Sequence, residues 1–238
     1  MPLNRLPGSR TQPARRARSV KYNYRLRMRA LTVIVCCLVG SVSAFAQEPP
    51  PRIPFFAVDL HATVPRFPTS QELADSRNLT LAELPGAGLG GQVSLHLYPV
   101  RWRAITFGIG GEVAGSRSSY TPPSDGATTL QSTEEKFLTV APQLSFNFGS
   151  GHGWSYLSGG IGWSQWSLIP DGREPYPGDT ERLKTINYGG GARWFPKSHL
   201  AFSFDVRFYA INPGPPYLGH PGSPRTTLVI IGAGISLK

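Results

Sequence analysis

Five histidines are the side chains in this sequence best suited to acid–base or metal chemistry. They are His61, His96, His152, His199 and His220. No pair has the His-Glu-x-x-His spacing that places two metal ligands on one helix face. The only cysteines, Cys36 and Cys37, lie in an apolar segment near the N-terminus. The sequence therefore predicts neither a metal site nor a cysteine nucleophile.

A glycine-rich segment, residues 86–91, matches the Gly-x-Gly-x-x-Gly pattern of dinucleotide-binding loops. Such a loop follows a strand and opens a helix, whereas the alternating residues 92–98 that come after this one indicate a strand. No Gly-x-Ser-x-Gly nucleophile elbow occurs in the sequence either. We therefore expect no cofactor and no catalytic residues, although a Ser–His–acid triad assembled from distant strands stays open as an alternative.

The elements that must position these side chains are β-strands. Apolar and polar residues alternate with a period of two in eight runs, which predicts eight strands. The runs span 55–64, 86–98, 104–116, 136–148, 155–167, 184–195, 200–210 and 225–237. In the clearest run Leu144, Phe146 and Phe148 fall on one face, and Gln143 and Ser145 fall on the other.

Three features favour a membrane barrel, whose apolar face meets lipid, over a soluble sandwich, whose apolar face is the core. The predicted strands are close to the roughly 9–11 residues of a tilted membrane strand. Their polar faces are rich in glycine and serine, which suit a narrow interior. Short connections of four or five residues alternate with long ones of 14–21 residues, as in bacterial outer-membrane barrels. The sequence therefore predicts an all-β, eight-stranded antiparallel up-and-down transmembrane β-barrel.

Two local features refine this prediction. Aromatic residues flank the three short turns, which predicts an aromatic girdle at one membrane interface. These residues are Tyr98, Trp102, Phe148, Trp154, Tyr156, Trp194 and Phe195. Pro142 interrupts the clearest strand and lacks the N–H that a ladder hydrogen bond needs, so we expect a β-bulge there.

The same alternation directs five charged side chains into the barrel. They are Asp59, Glu112, Arg193, Asp205 and Arg207. An eight-stranded barrel is just wide enough for its own side chains, and an isolated buried charge is very costly. We therefore expect each arginine to meet at least one carboxylate in a lumen closed by side chains. The alternative is that strand tilt separates these residues, so that each meets water at a mouth.

The N-terminal residues have a different character. Residues 1–46 contain nine of the 24 basic residues and no acidic residue, which leaves 15 basic and 14 acidic residues in the remainder. This distribution argues against a nucleic-acid-binding protein. Three features are typical of a secretory signal: the arginines 25, 27 and 29, the short apolar run 30–39 and the small-x-small site at 44–46. We predict a signal peptide with a basic extension over 1–46 (with a true start possible at Met28), a Pro-rich tether over 47–54 and a barrel over 55–238.

The signal, the eight amphipathic runs, the alternation of turns and loops, and the glycine-rich last strand together resemble the small outer-membrane barrels. This group includes the OmpA transmembrane domain and the opacity-type surface proteins. The resemblance implies a monomer in the bacterial outer membrane, exported through a cleaved signal peptide. It further implies outer-membrane lipid as a partner, a structural or surface-interaction role without catalysis, and a possible extracellular partner at the long loops.

Two other functions are compatible with the sequence. One is a barrel enzyme that modifies membrane lipid; the lipopolysaccharide deacylases of this kind use a His-x-Ser pair, which this sequence lacks. The other is a secreted soluble β-barrel that binds a small apolar ligand, with its apolar faces turned inward.

Overall fold

The computed structural model describes residues 51–123, 131–174, 176–217 and 221–238. Eight antiparallel strands form a closed barrel in which each strand pairs with its neighbour in sequence, and the last pairs with the first. The strands are β1 (Phe56–Arg66), β2 (Leu89–Trp102), β3 (Ile105–Tyr120), β4 (Thr133–Ser150), β5 (Gly153–Pro170), β6 (Thr180–Trp194), β7 (Leu200–Ile211) and β8 (Thr226–Leu237). The predicted fold class and strand number are confirmed.

Seven of the eight strands are longer than predicted, mainly at the ends that carry the long loops. Strands β4 and β5 each contain 18 residues, well beyond the roughly 9–11 that a membrane requires. We call the end with the long loops the loop end and the end with the short turns the turn end. The extra residues therefore extend the barrel wall at the loop end.

Alternation along the strands separates two environments. The outward side chains are mostly apolar and exposed: Leu144 has 62% of its surface exposed and Phe204 has 50%. The inward side chains are buried, and many are polar or charged; Asp59 and Arg207 are each 1% exposed. This distribution is the reverse of that in a soluble barrel.

The register of β4 corrects one prediction. No bulge occurs at Pro142, because the pairing of β3 with β4 runs through Gly111 and Pro142 without a shift. The pairing with β5 is interrupted between Val140 and Gln143 but resumes in the same register. The ladder thus tolerates the missing N–H without an inserted residue. A register shift occurs instead between Leu97 and Val100 of β2.

The loop between β1 and β2, which we call loop 1, contains the one α-helix among the described residues, α1 (Gln71–Ser76). The Ser70 side chain caps this helix by accepting a hydrogen bond from the Leu73 N–H at 3.3 Å. A 3-10 turn, Leu81–Glu83, follows α1. In the described part of the chain, no helix is long and apolar enough to cross a membrane.

Candidate functional site

The five charged residues predicted to face the lumen all lie inside the barrel and are buried. One ion pair joins β1 to β6 across the lumen: Arg193 donates from Nε and Nη2 to the two carboxylate oxygens of Asp59 at 2.7 and 2.6 Å. Ser94 and Ser236 add hydroxyl hydrogen bonds to the same carboxylate at 2.6 and 2.5 Å. The Asp59 carboxylate is thus surrounded by donors, which offsets the cost of burying it.

A second charged cluster has Arg207 at its centre. Its Nε lies 2.6 Å from Oε2 of Glu112 and 3.0 Å from Oδ1 of Asp205. Tyr209 donates to Glu112 at 2.6 Å, and Tyr156 donates to Asp205 at 2.6 Å. One guanidinium therefore holds two carboxylates, each of which also accepts a phenolic hydrogen bond. Together with the Asp59–Arg193 pair, this cluster forms the ionic layer of the lumen.

Two amide side chains extend the hydrogen-bond network of the ionic layer. Gln92 and Gln143 both donate to Oε2 of Glu112, at 2.9 and 3.0 Å.

One serine–histidine pair lies in the lumen. His61 Nε2 lies 2.7 Å from Ser203 Oγ, which is the distance of a catalytic Ser–His pair. However, His61 Nδ1 has no hydrogen-bond partner among the described residues, and both side chains are buried. The pair therefore lacks the carboxylate of a triad and a path for a substrate.

The aromatic residues near the short turns divide into two sets, which corrects the girdle prediction. Trp102, Phe148 and Trp194 point outward and are exposed, as a girdle requires. The other four point inward and are buried: Tyr98, Trp154, Tyr156 and Phe195. The Trp154 and Phe195 rings stack at 4.9 Å, and the Arg193 guanidinium lies 4.0 Å from the centre of the Tyr156 ring. These inward rings form an aromatic layer at the turn end of the lumen.

The described end of the predicted tether packs against this aromatic layer. Ile53 packs against the buried rings of this layer. The Gly151 N–H of the β4–β5 turn donates to the carbonyl oxygen of Pro51 at 2.5 Å. Residues 51–54 therefore lie along the turn end of the barrel. The rest of the predicted tether and the whole of the predicted signal peptide lie outside the described residues.

The loop end of the lumen contains an apolar layer that the sequence pattern did not indicate. Inward-facing residues of the barrel wall supply one part of it: Phe137, Trp166, Leu168, Leu183, Tyr209, Ile211, Leu228 and Ile230. Loop 1 supplies the other part: Phe67, Leu73, Ala74, Leu79 and Leu84. The apolar side chains of α1 thus pack against wall residues at the loop end of the barrel.

Arg77, directly after α1, forms hydrogen bonds that connect loop 1 to β6 and to the two loops that precede β6 and β8. Its Nη2 donates to Oε2 of Glu181 at 2.6 Å and to Oγ of Ser223 at 2.7 Å, and its Nη1 donates to the carbonyl oxygen of Gly178. These partners lie on β6, in the loop before β8 and in the loop before β6. Sequence reasoning missed Arg77, because a single arginine in a long loop carries no periodic signal.

Glu83 fixes the second half of loop 1. Its carboxylate accepts hydrogen bonds from the Gln131 N–H at 2.8 Å, the Thr80 N–H at 2.8 Å and the Thr80 hydroxyl at 2.9 Å. These donors, first the backbone N–H of Gln131 and then that of Thr80, lower the pKa of Glu83 below its ordinary value, because they stabilise the ionised form. Loop 1 is therefore fastened to the β3–β4 loop by a charged acceptor.

Between three of the loops lies an open cleft of about 410 Å³. Tyr176 and Tyr217 form one wall, with their rings edge to face at 5.8 Å. Arg77 and Arg173 also line the cleft, and each is paired with a carboxylate, of Glu181 and Asp179 respectively. Within the described ranges, no group of three or more histidine, cysteine, aspartate or glutamate residues is arranged to hold a metal ion.

The sequence matches no protein-family model and no curated protein. Solved structures do match. Neisserial surface protein A (NspA) is 13% identical with a TM-score of 0.51, over 78% of this chain and 97% of that one. Ail, the attachment invasion locus protein of Yersinia pestis, is 14% identical with a TM-score of 0.44, and 12% identical with a TM-score of 0.46 in its complex with the heparin analogue sucrose octasulfate; each covers 76% of this chain and 97% of Ail. The match to NspA and the closed eight-stranded barrel show that the chain has the fold of the small outer-membrane β-barrels.

Proposed function

We propose that this protein is a non-catalytic, monomeric barrel of the bacterial outer membrane that presents its long loops at the cell surface. One observation carries the proposal: the outward faces of all eight strands are mainly apolar and exposed, while the middle of the buried interior is charged. In water such an arrangement would leave a belt of apolar surface exposed to solvent around the whole barrel. In a bilayer the same belt faces hydrocarbon, and the closed ladder satisfies the backbone hydrogen bonds.

The arrangement argues against the soluble alternative. A secreted barrel that binds an apolar ligand needs an apolar, accessible interior, whereas the centre of this barrel holds the Asp59–Arg193 pair and the Arg207 cluster. It also gives no support to a lipid-modifying enzyme, since the His61–Ser203 pair is enclosed in the lumen. The proposal is therefore a structural or surface-interaction role.

We further propose that the lumen does not conduct. Three layers fill it in succession: the aromatic layer at the turn end, the ionic layer in the middle, and the apolar layer under loop 1. Any continuous water path would have to separate charges that are paired inside a narrow barrel.

Export to the outer membrane requires a leader, and we assign this role to residues 1–46 with cleavage before Gln47. N-terminal sequencing of the mature protein from the outer-membrane fraction should give a chain that begins at Gln47. Recovery of a chain that retains residues 1–46 would contradict the assignment.

Folding into lipid tests the membrane proposal. The protein should fractionate with the outer membrane and migrate differently on gels before and after heating, as folded barrels do. Phe146→Arg places a cation on the lipid face and should weaken folding into bilayers by roughly 2–4 kcal/mol if it lies near the midplane. Spin labels at Leu144 and Phe146 should report lipid, and a label at Ser145 should report the interior. The opposite pattern would indicate a soluble barrel.

Electrical recording tests the closed lumen separately. Purified folded protein in a planar bilayer should give no steady porin-like conductance. A large steady conductance would refute the closed lumen while leaving membrane insertion intact.

A further inference from the structure

The outer face of the barrel has a groove across β4, β5, β6 and β7. It consists of two adjoining depressions of about 690 and 550 Å³, both of which include Gly159 and Tyr188. The groove exists because outward positions there carry little or no side chain, at Pro142, Gly159 and Gly190. Larger side chains surround these positions: Leu144, Phe146, Leu157, Ile161, Ile186, Tyr188 and Phe208.

Two cations lie on β6 just beyond the loop end of this groove. Lys184 and Arg182 are exposed on the outward face of β6, two and four positions before the groove residue Ile186. Lys184 is opposite Trp163 of β5 in the register, and the Arg182 guanidinium carbon lies 6.0 Å from the centre of the Trp163 ring. Neither cation has an ion-pair partner among the described residues, whereas Arg117 and Lys136 on the same rim both pair with Glu134.

The distance from these cations to the far end of the groove matches one leaflet of a bilayer. From Lys184 to Gly190, β6 advances six residues at about 3.3 Å each, or roughly 20 Å along the strand. At the usual strand tilt of about 35–45°, this is roughly 15 Å along the membrane normal. Half of a hydrocarbon core of about 30 Å is the same distance. A lipid acyl chain that begins at Lys184 and Arg182 would therefore end near the middle of the membrane.

We propose that this groove binds one anionic, phosphate-bearing lipid of the outer leaflet. Its phosphate pairs with Lys184 and Arg182 beside the Trp163 ring, and an acyl chain lies in the groove over Gly159 towards Gly190. The proposal rests on the membrane insertion proposed above. It adds a defined lipid position, with a charged end and an apolar end that can be tested separately.

The charged end is tested by native mass spectrometry of the full chain folded in a neutral detergent. The probes are phosphatidylglycerol and phosphatidylcholine with identical acyl chains. The wild type should retain one phosphatidylglycerol in preference to phosphatidylcholine. Each cation near a lipid phosphate contributes roughly a fivefold change in affinity, so Arg182→Gln with Lys184→Gln should weaken retention by about 25-fold. The matched control, Arg117→Gln with Lys136→Gln, removes the same charge from the same rim and should change retention less than twofold.

The apolar end is tested by filling the groove. Gly159→Ile puts a side chain into it, where the new Cβ comes within 3.1 Å of the Asn187 carbonyl oxygen, so that this backbone must move by a few tenths of an ångström. The matched control is Gly91→Ile on β2, an outward position where the nearest atom, the His61 carbonyl oxygen, is 3.7 Å away. Gly159→Ile should lower phosphatidylglycerol retention at least tenfold, and Gly91→Ile should not.

Three results would overturn the lipid site: equal retention of the two lipids, equal losses in the variants and their controls, or no lipid retained by a folded wild type. Heat-modifiable migration, recorded for every sample, separates these results from a failure of the proposed function. A wild type that never folds in detergent or bilayers contradicts membrane insertion, whereas a folded barrel without lipid contradicts the groove alone. If Gly159→Ile does not fold, the cation variants still decide the outcome.

Discussion

The ionic layer in the middle of the lumen and the apolar layer at its loop end fill the same tube by different means. In the ionic layer, Arg193 and Arg207 are held by carboxylates, and tyrosine, glutamine and serine donors complete the network. In the apolar layer, leucine and aromatic side chains of the wall pack against residues brought in by loop 1. The first is built from the strands alone, and the second needs a segment from outside the barrel.

This difference implies different responses to damage. A buried ion pair that loses one partner leaves the other charged and enclosed, which is strongly destabilising. The apolar layer loses contacts in proportion to the side chain removed, and loop 1 can lift away while the barrel stays closed. Changes in the ionic layer should therefore affect the whole barrel, and changes in the apolar layer should affect the loop.

The largest expected effect is at Arg207. Arg207→Met leaves Glu112 and Asp205 close together without their shared cation and should destabilise the barrel by about 3–5 kcal/mol. Urea unfolding in lipid vesicles, followed by heat-modifiable migration, measures the change. Arg66→Met removes an exposed arginine from the end of β1 and serves as the control, with little expected effect.

A second substitution sharpens this test. If the cost comes from the unpaired carboxylate, adding Glu112→Gln to Arg207→Met should recover part of the stability, because a neutral amide replaces the buried charge. Additive losses in the double variant would mean that Arg207 and Glu112 are not coupled, and that the ionic layer is stabilised elsewhere.

The two layers also differ in what the sequence could predict. Asp59, Glu112 and Arg207 stand out because each is a charged residue on the polar face of an alternating strand, and pairing follows from the cost of buried charge. The apolar layer could not be found in this way. Leu168, Leu183 and Ile211 face inward near strand ends, where the inward residues become apolar. Beside Leu183 the outward residues Arg182 and Lys184 are charged, so the alternation that marks the lumen is reversed there.

The contacts of the loops could not be predicted from the sequence for a related reason. Arg77 meets Glu181 across 104 positions of sequence, and no local pattern encodes such a separation. The direction of the aromatic side chains near the turns was also hard to predict. Trp154 and Phe195 flank short turns as girdle residues do, but a shift of one position along a strand turns a side chain from the outer face to the inner face. Fold and parity were predictable, whereas the covering of the mouth was not.

An intermediate effect is expected at Leu73 of α1. This side chain is 1% exposed in the apolar layer, and Leu73→Ala should weaken the closure of loop 1 by about 2–4 kcal/mol through lost contacts and a cavity. Hydrogen exchange should accelerate over residues 71–84 and stay unchanged in the barrel strands. Leu81→Ala is the matched control, because Leu81 is 48% exposed in the same loop. Faster exchange throughout the strands would show that loop 1 stabilises the barrel itself and would break the distinction between the two layers.

The smallest effect is a dependence of loop 1 on pH through Glu83. Because its pKa is lowered in the folded protein, the ionised carboxylate stabilises closure fully above its ordinary pKa near 4.5, and this stabilisation is lost as the pH falls through the lowered value. Three hydrogen bonds to the carboxylate are involved, and their loss should weaken closure by about 1 kcal/mol. Hydrogen exchange over residues 79–84 should therefore accelerate on acidification beyond its intrinsic pH dependence, and Glu83→Gln should show the faster exchange already at neutral pH with little further change. Glu72→Gln, an exposed position in α1, controls for the removal of charge from the loop. If the Glu83→Gln variant keeps the same acid response as the wild type, the response belongs to another group.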